Sequence, residues 1–508
     1  MKKYKKIFVT IAITVGAFVI NYCINFFLTP YITDNVGTTA YGYVSLAKTM
    51  ASYANIITVA LNGYASRFIA VEYHNKRYKQ ANIYYSSVFY ADLILAILIF
   101  LVMTMFSLNI EHFFKIKQNI LLDIKGLFIL VFLNLALNLS STVLQAASYI
   151  KNKLDVAACF RSISYFVEAG ILLLCYIWLP PHVTYVGIGI IAGSVVICMC
   201  NIGITKYCTP ELKPQICLFS ISAVKKLVST GIWNSISSIG SLLNTGVDLL
   251  VTNLWLSPLA MGQISIVKTI TTIFATIYQQ VATPFQPFLL HDYAIGDKDS
   301  LLKNLIKEIK ISGWISALIL MGFASLGKLY FRLWVPNQDI ELLYKISMIA
   351  VFSGIIEGAG NPLYYVYTLT VKNKLPSILT IIGGCCNVIG MFILIHYTDI
   401  GIYAVQWTTA CVAIVFGLLI NPLYSAHCLK ISWHSFYPVL FRHIGTCIVL
   451  GIVFHEIVIL IGPATWPQLV VCAVLEGLVG GIIYVLLMFN KGEKRHLINS
   501  VMFSRKRT

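Results

Sequence analysis

Charge is what this chain has least of. Only 11% of its 508 residues are Asp, Glu, Lys or Arg, against roughly a quarter in soluble domains. A chain that is 58% hydrophobic with so few charges has too little polar surface to face water on all sides, which excludes a soluble globular domain. Cys-x-x-Cys and His-x-x-x-His pairs are also missing, although 13 cysteines and 10 histidines are present. Neither a zinc site nor a redox dithiol is indicated, so no metal or other cofactor is expected, and the scattered cysteines read as small buried apolar side chains.

What the chain does have is long apolar runs. A bilayer-spanning helix needs roughly 20 apolar residues, and about fourteen such stretches can be marked off by charge clusters, turns and prolines. Their limits are near 7–30, 40–66, 82–108, 124–150, 157–179, 183–205, 230–256, 260–290, 311–335, 343–370, 375–397, 400–425, 439–461 and 466–489. The fold class is therefore all-α, a polytopic membrane protein. Lys and Arg concentrate in alternate loops, beginning with Lys2, Lys3, Lys5 and Lys6, which places both termini on the cytoplasmic side. The net charge of +17 is then a topology signal with affinity for anionic lipids, and nucleic acid is not needed to explain it. The first apolar stretch is too long for a signal-peptide core and lacks a small-residue cleavage site, so it reads as a retained span.

Two lysines interrupt these runs at a spacing of 220. Ala40-Tyr41-Gly42-Tyr43-Val44-Ser45-Leu46-Ala47-Lys48-Thr49 matches Ala260-Met261-Gly262-Gln263-Ile264-Ser265-Ile266-Val267-Lys268-Thr269 at Ala, Gly, Ser, Lys and Thr. Lys151-Asn152-Lys153-Leu154 recurs as Lys372-Asn373-Lys374-Leu375, and Glu72-Tyr73 is echoed by Asp292-Tyr293. The copies are separated by six spans, an even number, so the duplicated halves share orientation as parallel repeats. The expected organisation is a six-helix lobe over 1–215, a second over 216–430, and two additional helices with a basic cytoplasmic tail over 431–508.

Polar residues recur at helical spacing in the first two spans of each half. Span 7 carries Asn234, Ser238, Ser241, Thr245 and Asp248 on one face, and span 2 carries Ser45, Lys48, Ser52, Asn55 and Asn62. Span 8 adds Ser265, Lys268, Thr272, Thr276 and Gln279, and span 1 adds Thr14, Asn21 and Asn25. Such residues in membrane helices commonly bond helices to one another. A cation in the bilayer core costs about 2.5 to 3.5 kcal/mol on insertion scales, so a duplicated set containing two lysines favours a hydrated cavity. Arg67 and Glu357 are further candidates, Arg67 for the cavity mouth and Glu357, like Asp248, for coupling to an ion. The Ile356–Pro362 stretch should be locally broken, and Pro284 and Pro287 should bend span 8.

Two motif-like strings are set aside. Gly322-Phe323-Ala324-Ser325-Leu326-Gly327-Lys328 has P-loop spacing, but Leu329 stands where Ser or Thr is required. Asp297-Lys298-Asp299 lies in a connection too short to fold a catalytic domain and reads as a solvated turn.

Asn25-Phe26-Phe27-Leu28-Thr29-Pro30-Tyr31-Ile32, followed by Gly42-Tyr43 through Asn62 with Arg67 and Phe68, resembles the first two spans of bacterial polysaccharide transporters of the Wzx type. These flippases belong to the multidrug/oligosaccharidyl-lipid/polysaccharide (MOP) superfamily. The resemblance implies a non-enzymatic flippase in the bacterial cytoplasmic membrane, with a cavity lined by spans 1, 2, 7 and 8. It further implies a substrate of undecaprenyl-diphosphate-linked oligosaccharide, a repeat unit of O-antigen, capsule or exopolysaccharide, and partners among glycan polymerase and chain-length machinery. The alternatives are a multidrug extruder of the same superfamily, whose cationic cargo two cavity lysines would repel, and a membrane glycan polymerase or ligase. The short outward segments near 109–123 and 336–342 leave little room for the latter's catalytic loop.

Overall fold

A computed structural model describes residues 2–151, 153–370 and 372–494, and every regular element among them is helical. The helices of the first half are α1 (Lys2–Asn35), α2 (Thr38–Asn62), α3 (Ala65–His74), α4 (Tyr78–Leu108), α5 (Leu121–Ser141), α6 (Ala146–Ile150), α7 (Leu154–Trp178) and α8 (Thr184–Cys208). There follow α9 (Ile221–Thr245), α10 (Val247–Val251), α11 (Pro258–Ala282), α12 (Gln286–Ile295), α13 (Lys298–Trp334), α14 (Ile340–Phe352) and α15 (Gly354–Leu369). The chain ends with α16 (Lys374–Tyr397), α17 (Tyr403–Val415), α18 (Asn421–Leu429), α19 (Tyr437–Ile461) and α20 (Trp466–Met488).

Twelve helical segments among the described residues are long and apolar enough to cross a membrane. The expected span 1 lies within α1, of 34 residues, and the expected span 7 begins in α9, of 25 residues, which carries Ser, Asn or Thr at nearly every turn, diluting its apolarity. The span near 230–256 is not one continuous helix. It passes from α9 through α10 into a π-helical turn at Thr252–Leu256, an irregularity that membrane proteins tolerate where backbone is covered by protein.

Two other expectations are corrected. Ile356–Pro362 is helical throughout, inside α15, and the break falls earlier, at Ser353 between α14 and α15. A proline ring crowds the carbonyl four residues back; here that residue is Gly358, and a helix in a membrane bundle absorbs the loss of one N–H. The connection expected to end in a solvated turn instead starts α13: Asp297 accepts a bond from the Ser300 N–H at 3.0 Å and caps the helix, with Asp299 in its first turn. Gly322–Lys328 lies within the same helix and has no loop to cradle phosphate. The bend at Pro284 takes the form of a 3-10 turn, Thr283–Phe285, between α11 and α12.

The chain packs as two compact units, residues 1–265 with 377–388, and residues 266–376 with 389–508. In the first, α2 packs on α9, α5 lies between α4 and α8, and α7 between α1 and α8. Asp123 at the start of α5 accepts bonds from the N–H groups of Val183 (2.9 Å) and Thr184 (2.8 Å), capping α8. The duplicated glycines meet in this unit: a Cβ on Gly42 would lie 2.9 Å from the Gly262 nitrogen, and one on Gly262 would lie 2.2 Å from the Thr38 carbonyl oxygen. Only glycine permits that approach.

In the second unit α13 is central and touches α15, α19 and α20. A Cβ on Gly358 would lie 2.3 Å from Cβ of Ser316, so this glycine sets the α13–α15 spacing. The two final helices are joined by His443, whose Nδ1 lies 2.9 Å from the Tyr484 hydroxyl while Nε2 lies 2.9 Å from the Ile355 carbonyl. A carbonyl only accepts, so Nε2 carries the hydrogen and Nδ1 accepts from tyrosine.

Candidate functional site

The polar stripes of α2 and α9 face one another in the first unit and enclose a cavity of about 320 Å³. Its lining is Ser52, Asn55, Ile56 and Val59 from α2, and Ser237, Ser238, Ser241 and Leu242 from α9. The two helices cross closely because Gly231 of α9 has no side chain: a Cβ there would lie 2.0 Å from the Ala60 carbonyl oxygen. Ser235 fastens the crossing by donating to the Ile56 carbonyl at 3.1 Å.

The hydroxyl hydrogens of the stripes point back along their own helices. Ser52 donates to the Lys48 carbonyl (3.1 Å), Ser238 to that of Asn234 (2.9 Å) and Thr245 to that of Ser241 (3.1 Å). Such bonds cancel the cost of placing hydroxyls in a membrane helix and leave their oxygens as acceptors. Asn55 is complementary: its side-chain oxygen accepts from Thr58 at 2.9 Å, so its two amide hydrogens are what it offers to the cavity. A neutral wall that presents acceptors and a few donors suits a hydroxyl-rich ligand, and its volume sits at the low end of the range of about 300 to 1,000 Å³ for small-molecule sites.

The remaining expected residues are distributed as follows. Lys48 is exposed on α2, within electrostatic reach of the half-buried Glu168 on α7, and Ser45 is half-buried one turn before it. Asn21 and Asn25, half-buried on α1, bond to one another, Nδ2 of Asn25 donating to the Asn21 carbonyl at 2.9 Å. Asn234 is half-buried beside Gly63, and Thr245 is exposed. Asp248 is buried, on α10 rather than on the cavity wall; its carbonyl accepts from Thr252 at 2.6 Å. Near it the Tyr53 hydroxyl donates to the Gly246 carbonyl at 2.6 Å, across the break that follows α9. Ser265 is buried and donates to the Met261 carbonyl at 2.9 Å. In the second unit Lys268 is half-buried on α11, where Thr272 donates to its carbonyl at 2.7 Å, and Gln279 is exposed further along that helix. Glu357 is half-buried at the start of α15, where its side chain bonds Ser353, and Arg67 is exposed on α3.

One polar contact was not anticipated. Asp92 is fully buried in the middle of α4, and Asn62, which the stripe pattern assigns to the cavity, turns toward it, Nδ2 donating to Oδ1 at 2.9 Å. An acid inside an otherwise apolar run is a signal in its own right.

The model of the polysaccharide biosynthesis protein family matches residues 6–287. The chain belongs to that family. An uncharacterized membrane protein of Bacillus subtilis (strain 168), EpsK, is 23% identical over 486 residues, covering 94% of this chain and 95% of that protein. Among solved structures, the lipid II flippase MurJ in an inward closed conformation is 15% identical with a TM-score of 0.68, covering 96% of this chain and 99% of that one. An inward-facing multidrug resistance MATE family transporter of the MOP superfamily is 13% identical with a TM-score of 0.64, covering 84% and 99%. These likenesses show the fold, which this chain shares with that flippase and that transporter; with its many apolar helices it is the fold of a multi-pass membrane protein.

Proposed function

We propose that this protein carries a lipid-linked oligosaccharide from the cytoplasmic to the outer leaflet of a bacterial cytoplasmic membrane, with both termini inside. The observation that carries this reading is the cavity between α2 and α9, walled by four serines and one asparagine with no charged side chain. Moving one unpaired hydroxyl into hydrocarbon costs several kcal/mol, and a glycan has many. The cavity wall replaces water's hydrogen bonds while the prenyl tail stays in lipid. Lys268 and Lys48 supply positive charge for a diphosphate, with the pull of Lys48 moderated by Glu168. An ion gradient drives the cycle, with Asp248 or Glu357 as coupling carboxylates, and Arg67 guards the mouth. Anionic lipids, glycan polymerase and chain-length machinery are its partners. A multidrug extruder would be served by an acid in the cavity wall, and Asp248 is buried elsewhere.

The test is complementation of a strain lacking this gene, scored by surface polysaccharide and by lipid-linked oligosaccharide retained on the inner leaflet. Wild type should restore export. Ser241→Leu, which fills the cavity, and Lys268→Glu, which reverses the charge of that side chain on α11, should be present at normal abundance and fail. Full export by both variants would refute the reading.

A further inference from the structure

We infer that Asp92 and Asn62 form a proton-binding site, in which a protonated Asp92 closes a two-bond ring with the Asn62 amide. Two bonds are possible between a carboxyl and a carboxamide, and one is present: Nδ2 of Asn62 donates to Oδ1 of Asp92 at 2.9 Å. The two atoms left over, Oδ1 of Asn62 and Oδ2 of Asp92, are buried and have no hydrogen-bond partner. Both are acceptors, so no rotation of either group pairs them. One hydrogen on Oδ2 satisfies both at once, donated to Oδ1 of Asn62. Left unpaired, each would keep the full desolvation penalty of a buried acceptor. Asp92 is wholly inaccessible, and an isolated carboxylate so placed takes up a proton rather than keep its charge.

The ionisable neighbours supply no substitute. Among the described residues no basic side chain is ion-paired with Asp92. On the elements packed against α4, Lys125 of α5 is paired with Glu111 at 2.8 Å, and Asp123 of α5 caps α8. Glu72 of α3 is paired with Arg77, and Lys226 of α9 lies over the rings of Phe68 and Tyr84. Arg67 and His74 of α3, Lys48 of α2, Lys225 of α9 and Cys217 of the short turn at Ile216–Leu218 complete the set, with the tyrosines Tyr41, Tyr43, Tyr53, Tyr64 and Tyr73. A hard metal ion is a poor fit, since it asks for about six oxygen ligands and two are on offer.

The location gives the proton a use. Asn62 is the last residue of α2, and the chain breaks at Gly63 before α3 begins. Gly63 is exposed, and a Cβ there would lie 2.8 Å from Nδ2 of Asn234 on the cavity stripe. Water at this turn is the source and sink of the proton. Its loss leaves a carboxylate facing an amide oxygen, a repulsion relieved when Asn62 turns away and the α2–α3 junction opens. The proton site stands on geometry alone; its coupling to export rests on the flippase reading.

Infrared difference spectra of the purified full-length protein between acid and alkaline pH test the site without any substrate. The carbonyl band of a protonated carboxylic acid should be present in wild type, lost in Asp92→Asn, and shifted in Asn62→Leu, which removes the partner but keeps the acid. Asp92→Asn preserves shape and should fold; its thermal unfolding checks this. An acid band unchanged by Asp92→Asn, or a spectral change driven by sodium at constant pH, overturns the site. For the coupling role, complementation by Asp92→Asn should fail at normal abundance, and full export by that variant overturns it.

Discussion

Gly231→Ala tests whether the α2–α9 crossing builds the cavity. In an ordinary helix the change is favourable, because alanine exceeds glycine in helix propensity by about 0.8 to 1 kcal/mol. At this site the new Cβ would lie 2.0 Å from the Ala60 carbonyl oxygen, 2.8 Å from its carbon and 3.1 Å from its Cα, where ordinary contact begins at 3.4 Å. Those atoms are backbone and cannot rotate aside, so the helices must separate by more than an ångström. Overpacking costs about 1 to 3 kcal/mol, and stretching the Ser235 bond to the Ile56 carbonyl adds about 0.5 to 1.5 kcal/mol. The steric term wins, and net destabilisation should be about 1 to 3 kcal/mol. Gly203→Ala is the control: nothing lies within 4 Å of a Cβ there, and propensity should leave it neutral or slightly stabilised. The assay is thermal unfolding of both variants in one detergent, read beside wild type. A midpoint for Gly231→Ala at or above that of Gly203→Ala would refute the crossing geometry.

In a background without native cysteines, Ser241→Cys and Ser52→Cys should react with a water-soluble maleimide faster than Ser235→Cys, whose position is buried at the crossing; equal rates would mean that the stripe is packing. Glu493 pins the end of α20 to α13: its carboxylate accepts from Lys310 at 2.8 and 3.0 Å and from the Asn490 N–H at 2.8 Å. Burial pushes its carboxyl up, but the Lys310 and Asn490 bonds outweigh that and hold it below the usual 4.5. The contribution to stability is therefore fully present above pH 4.5 and fades as pH falls through the lowered value. Amide exchange near residues 486–494 should rise over that acid range and be pH-insensitive there in Glu493→Gln. Glu308→Met should leave stability unchanged or raise it, because both carboxylate oxygens are buried without a hydrogen bond. Asp92→Leu, by contrast, leaves the Asn62 amide unpaired and should cost about 1 to 3 kcal/mol, measured in the same unfolding assay.

The helices were legible in the sequence because bilayer thickness fixes their length: stretches expected near 439–461 and 466–489 are α19, Tyr437–Ile461, and α20, Trp466–Met488. Helical spacing also brought Ser52, Asn55, Ser238 and Ser241 to one wall, since a shared face on each helix is a local property. Interruptions were less visible. The breaks at Gly246 and Ser353 carry no proline; the first is held by a distant partner, the Tyr53 hydroxyl on the Gly246 carbonyl, and beside the second Gly354 leaves room for the Tyr278 hydroxyl. Proline at 362 pointed to the wrong place because local sterics gave way to packing. Asn62 and Asp92 escaped notice as a pair because 30 residues separate them, and a periodicity within one helix says nothing of which neighbour a residue will meet.

Polar atoms in these helices fall into two kinds with different costs. Ser52, Ser238 and Thr245 each return a hydrogen to a carbonyl four residues back, so they lie in the membrane at little expense and can be spread along a wall. Buried acids have no such local remedy. Yet the chain carries one in the third span of each duplicated half, Asp92 on α4 and Glu308 on α13, exposed by 0% and 1%. Adding the repeat spacing of 220 to Asp92 gives Ser312, one helical turn from Glu308, and the Ser312 hydroxyl is likewise buried without a partner. At position 308 an apolar side chain would be as stable or more so, and at position 92 the acid's one bond is to an amide that could itself be replaced together with it, so packing alone does not account for the acids. The same unfavourable choice on α4 and, one turn from the repeat spacing, on α13 points to a demand for an ionisable group at both places.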